Sequence, residues 1–171
     1  MIGYLLNRRA RSMVMLLVAG FVAGGLALPA ISADTAYTAK VKTAMVDLKT
    51  DANKLGAPRV DGDALMFGTS KVNDNFALVD ALKAKHGGTA TFFVKKGNAF
   101  VRVSTNVMNN GKRAVGTQLD PSGPAIAAIR QGNAYYGVVD ILGKLYDTGY
   151  EPIKTDGGDV IGIYYVGYLM E

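Results

Sequence analysis

The stretch TATFFVKKGNAFVRVST, residues 89–105, decides the fold. Two runs rich in β-branched and aromatic residues flank Lys96-Gly97-Asn98, so the segment reads as a β-hairpin with glycine where the turn asks for a positive φ. A short link of this kind makes its strands antiparallel neighbours. The same texture continues downstream. A turn at NNGK, residues 109–112, precedes RAVGTQL; two strands, AYYGVVDIL and KLYDTGYEPI, flank Gly143-Lys144; and a DGGD turn at 156–159 leads into a closing strand, DVIGIYYVGYLME. Only DPSGPAIAAIRQG, residues 120–132, interrupts the pattern, as a loop and one short helix with Pro124 in its first turn and Gly132 at its stop.

Upstream the period changes. Over residues 35–55, Val41, Ala44, Met45, Leu48, Ala52 and Leu55 recur at steps of three and four, which is one face of a helix ended by Gly56 and Pro58. A turn at 61–63 precedes a short strand in LMFGT. Phe76, Val79 and Leu82 then mark a second helix over residues 73–85, stopped by Gly87 and Gly88. The expected architecture is α+β: an antiparallel sheet of about five strands with the long leading helix packed on one face and the other face left to a loop cover or a ligand.

Composition bounds the rest. The chain has 171 residues, 49% hydrophobic and 19% charged, which suits one globular domain. It has no cysteine, which removes disulfide frameworks, thiolate nucleophiles and Cys-ligated zinc. Arg8, Arg9 and Arg11 precede an apolar run over residues 13–28, then Pro29 and the small residues AISA. That is the layout of a secretory signal over residues 1–33, cleaved after Ala33 to leave a periplasmic or secreted domain of residues 34–171. The alternative is an uncleaved helix anchoring the domain to the inner membrane. Without the leader the chain keeps 16 basic and 14 acidic residues, and no arginine stripe interleaved with aromatics points to nucleic acid.

Residues that carry enzyme chemistry are scarce. The sole histidine, His86, sits at a predicted helix end, where a cationic cap accounts for it. Asp61-Gly62-Asp63 and Asp156-Gly157-Gly158-Asp159 lack the length and closing glutamate of a calcium loop, and the glycines spell no phosphate loop. The expectation is a non-enzyme with no metal and no cofactor.

Two features stand out instead. Seven of the nine tyrosines fall within residues 135–168. Period two puts Tyr146 and Tyr150 on one face of a strand, and Tyr164 and Tyr168 on one face of the next with Tyr165 opposite. Facing hydroxyls there suit a polar pocket, although tyrosine is also a good strand residue in its own right. Arg102 is the other. It lies mid-strand in AFVRVST, and alternation gives it the face of Phe100 and Ser104. A guanidinium on a cavity-facing position holds a carboxylate by paired hydrogen bonds; on a solvated face it is an ordinary surface charge.

Residues 89–168, and above all VRVSTNV, RAVGT, YYGVVDILGK, TGYEPI and VIGIYYVGY, resemble the Cache domain of bacterial chemotaxis receptors and sensor kinases, in its single-domain Cache 3/Cache 2 fusion form. The resemblance implies a long N-terminal helix on a PAS-like antiparallel sheet and an extracytoplasmic pocket for small molecules, often carboxylates. By similarity Arg102 takes the strand position from which such sensors offer a basic side chain, and Tyr136 and Tyr150 fall on pocket-lining strands. The expected ligand-binding residues are Arg102, Ser104, Tyr136, Tyr146, Tyr150 and Tyr164. Similar receptors continue into a second membrane helix, whereas only Met170 and Glu171 follow Leu169 here, so the expectation is a stand-alone exported sensor of small organic anions, without its own output. The alternative is an accessory subunit that docks on a membrane sensor kinase or chemoreceptor.

Overall fold

The structure is a computed structural model that describes residues 35–170; the leader reading over 1–33 and its anchored alternative lie outside them. Helix α1, Thr38–Asn53, buries Val41, Ala44, Met45, Leu48 and Ala52, the five positions that its apolar spacing selects. The sixth, Leu55, lies past the helix and is 41% exposed. The chain turns out before it, because the amides of Leu55 and Gly56 bond back to Ala52 and Asn53 in a tightened final turn. Helix α2, Ala77–His86, ends on Gly87 in the left-handed conformation, whose N–H returns to the Lys83 carbonyl.

Between the helices, β1 (Pro58–Asp61), β2 (Ala64–Phe67) and β3 (Ser70–Lys71) form a small antiparallel sheet of which the sequence showed only the middle member. The main sheet follows: β4 (Thr89–Lys96), β5 (Ala99–Thr105), and, beyond the short pair β6 (Met108–Asn109) and β7 (Lys112–Arg113) and helix α3 (Pro124–Arg130), the strands β8 (Tyr135–Ile141), β9 (Lys144–Lys154) and β10 (Val160–Leu169). Its order is β5-β4-β10-β9-β8, antiparallel throughout. The closing strand is therefore central, which explains its unbroken burial from Gly162 to Tyr168.

The pleat sorts the core into two layers. Ala90, Phe92, Val94, Tyr164, Val166 and Tyr168 pack with α1 and α2, while Phe93, Phe100, Tyr150, Ile163 and Tyr165 pack with Ile126 and Ile129 of α3. The register between β4 and β5 shifts at Phe92/Phe93, with Arg102 opposite Phe93 and Ser104 opposite Phe92. Two residues of β5, Val103 and Ser104, thus answer to the α2 side. Simple alternation from Arg102 fails there: Ser104 leaves the face of Arg102 and Phe100 and donates to the carbonyl of Asn75 at 2.6 Å.

Helix α1 is fastened to β9 at both ends. Buried Asp147 accepts hydrogen bonds from the hydroxyls of Thr35 and Thr38 at the positive end of the helix. About three turns on, Lys49 pairs with Glu151 at 2.5 Å. Gly149, between these anchors, has no side chain because none fits: a Cβ there would stand 2.6 Å from a ring carbon of Tyr136 and 3.0 Å from Val41.

Two outcomes follow from this seat. Gly149→Ala overpacks it and lowers unfolding free energy by about 1–3 kcal/mol, read from the urea midpoint at constant m-value. Asp147→Ala leaves two hydroxyls unanswered, costs about 1–3 kcal/mol, and speeds amide exchange in the first turn of α1 before the rest of the helix.

Candidate functional site

On the face opposite α1, the sheet is covered only by the seven residues of α3 and by irregular chain on either side of β6 and β7. Where that cover meets edge strand β8 it leaves a cavity of about 290 Å³. Its walls come from four places: Arg102 on β5; Leu119, Asp120 and the start of α3; Val138, Val139, Asp140 and Ile141 on β8; and Tyr150 on β9. Aliphatic side chains make most of the wall, with charge confined to Arg102, Asp120 and Asp140.

Arg102 is 6% exposed and carries the sharpest chemistry. Its backbone N–H donates to Thr117 and its carbonyl accepts from Gly116, so the strand holds the covering segment directly. Both side-chain hydrogen bonds leave from Nη1, to Thr117 Oγ1 at 2.8 Å and the Gln118 carbonyl at 3.3 Å. Thr117 Oγ1 itself donates to the Ala114 carbonyl, which fixes its lone pairs toward the arginine. The guanidinium lies 4.9 Å over the Phe93 ring. Its Nε is buried with no hydrogen-bond partner, the one such side-chain atom among the described residues. No carboxylate among those residues pairs with it. Burial pushes its pKa down, opposed by Tyr150 and Tyr165, yet a guanidinium stays charged at neutral pH.

Tyrosines back this cation. Tyr135, Tyr150 and Tyr165 form a chain of ring contacts, 6.3 and 5.0 Å between centroids. Burial raises the pKa of all three, so each remains a neutral phenol and a hydrogen-bond donor. At the rim, Asp120 is held below the usual carboxylate range by the backbone N–H and then the hydroxyl of Ser122.

The six residues singled out in the sequence divide between the two layers. Arg102 and Tyr150 line the cavity together, and Tyr146 packs on the same side without lining it. Ser104, Tyr136 and Tyr164 lie on the α1 side. There Tyr136 donates to Glu151 at 2.5 Å, and Tyr164 packs against Phe67 and Phe92 with its hydroxyl 3.4 Å from Asn53. Sequence reading passed over Asp120, Asp140, Leu119 and the apolar residues of β8. Asp140 did leave a signal, as the lone charge inside the apolar run YYGVVDIL.

Among curated proteins none matches the chain. A solved structure, the A. Aeolicus nlh2 GAF domain in an inactive state, aligns over 77% of this chain and 83% of its own with a TM-score of 0.44 and 12% identity, too distant to bear on fold or function. No helix of the described residues is long and apolar enough to cross a membrane. The Cache 3/Cache 2 fusion domain, by contrast, matches residues 31–171, from before α1 to the last residue. Domains of this kind are extracellular sensor modules that bind small molecules and are typically non-enzymatic. With its five-stranded PAS-like sheet, leading helix and cavity on the far face, the chain belongs to the Cache 3/Cache 2 fusion domain family.

Proposed function

We propose that the protein is an exported sensor domain that binds a small organic carboxylate in the cavity between β8 and the segment leading into α3. The observation that carries this reading is Arg102: a buried cation with an unanswered Nε, lining a cavity and lacking a protein counter-ion. Taking such a charge out of water costs several kcal/mol unless an anion compensates, and a carboxylate bound in the cavity beside the guanidinium supplies that charge. Tyr150, beside it on the wall, offers a hydroxyl to the same anion. The cavity volume of about 290 Å³ sets a small ligand. In this reading residues 1–33 are the export leader and residues 34–171 the sensing domain, which reports to a membrane sensor kinase or chemoreceptor. The rival, docking through the outer face of α1, has little to work with: Val46, 62% exposed, is the one large apolar side chain bared on that helix.

Isothermal titration against short mono-, di-, hydroxy-, keto- and amino-carboxylates tests the proposal, and silence across the panel sinks it. For any carboxylate that binds, Arg102→Ala removes two charge-assisted hydrogen bonds and weakens affinity by about a hundredfold or more, with far-UV circular dichroism unchanged. Arg102→Met carries the opposite sign for the empty protein. Replacing an uncompensated buried charge by an apolar side chain raises unliganded stability by about 1–3 kcal/mol while abolishing ligand-induced stabilisation, as followed by thermal unfolding with and without ligand.

A further inference from the structure

The cavity contains more charge than one carboxylate answers. Besides Arg102 it is lined by two acids, Asp120 and Asp140, and by no second basic residue. Both acids are solvent-exposed, whereas Arg102 is buried, so the charges are graded from a cationic floor to an anionic rim. Each acid is anchored through Oδ1. Asp120 Oδ1 accepts from the N–H and hydroxyl of Ser122, at 2.9 and 2.8 Å, and Asp140 Oδ1 accepts from the Gly143 N–H at 2.8 Å. Asp140 Oδ2 takes no hydrogen bond from the described residues, the Gly123 N–H also reaches toward the Asp120 carboxylate, and neither acid is paired with a lysine or arginine among them. Between floor and rim the wall is Leu119, Val139, Ile141 and the ring of Tyr150.

We infer that the ligand is a small amino-carboxylic acid, its carboxylate on Arg102 and its ammonium at the Asp120–Asp140 rim, joined by a short apolar carbon chain. The inference rests on the carboxylate reading above and narrows it. A dicarboxylate of the same length brings its second negative charge against two anchored acids, which is repulsive on the water-poor side of the rim. A plain monocarboxylate satisfies Arg102 but gains nothing at the rim. A zwitterion answers all three charges, and the bonds that anchor the acids leave each carboxylate lone pairs with which to accept from an ammonium.

The test is titration calorimetry of the purified full chain with matched probes: L-alanine, β-alanine and 5-aminopentanoate, each beside its desamino counterpart (propionate or pentanoate) and the corresponding dicarboxylate (succinate or adipate). At least one amino acid is expected to bind about tenfold or more tighter than both partners in its set, a gap of about 1.4 kcal/mol. Asp120→Asn and Asp140→Asn retain the anchoring oxygen, so the fold holds, and together they close that gap to about threefold or less. Equal or tighter binding of the desamino acids or dicarboxylates overturns this inference and leaves the carboxylate reading standing. An amino-acid preference that survives both Asn substitutions also overturns it. Failure of every probe to bind overturns this inference, and silence extending to the hydroxy- and keto-carboxylates removes the carboxylate reading with it.

Discussion

A five-stranded sheet has two apolar faces, and the described residues supply one long helix to cover them. That shortage shapes the molecule. Helices α1 and α2 seal one face with side chains at helical spacing. The other face is closed by a seven-residue helix and irregular chain, whose backbone polar groups must be hydrogen-bonded to something. Much of that demand is met by edge strand β5, since Arg102 and Phe100 exchange main-chain bonds with Gly116, Thr117 and Leu119. The cover is stitched down along β5, and the cavity opens toward the opposite edge, at β8.

Arg102 sits where that stitching and the cavity meet. Thr117 and Gln118 hold one nitrogen of its guanidinium, and Phe93 supports its plane. Its Nε is left unanswered, in surroundings that make an unanswered polar group expensive. An apolar residue would pack this face more stably. On the proposed reading, keeping arginine there trades stability for a preorganised anion site, the pattern expected where local physics yields to binding.

Much of this was legible in the sequence. The five apolar positions of α1, the hairpin around Gly97 and the opposed faces of Tyr164 and Tyr165 follow from periodicity alone, because period is a local property. Membership of a site is not local. Tyr136 and Tyr164 sit on suitable strands but look toward α1, and which face receives the helix is decided by contacts far along the chain. Ser104 was misplaced by one inserted residue at a bulge that nothing in AFVRVST announces. Asp120 and Asp140 are 20 residues apart in sequence and share a wall only because β8 returns beside the start of α3.

Strand β9 joins the two layers. Its residue Tyr150 forms part of the cavity wall, while its immediate neighbours Gly149 and Glu151 bear against Val41 and Lys49 of the helix. The cavity wall and the seat of α1 are therefore a single peptide unit apart, within about 3.4 Å along the strand. One strand thus serves both layers as a common axle, and the cavity wall and the seat of α1 share its backbone with no intermediary side chains between them.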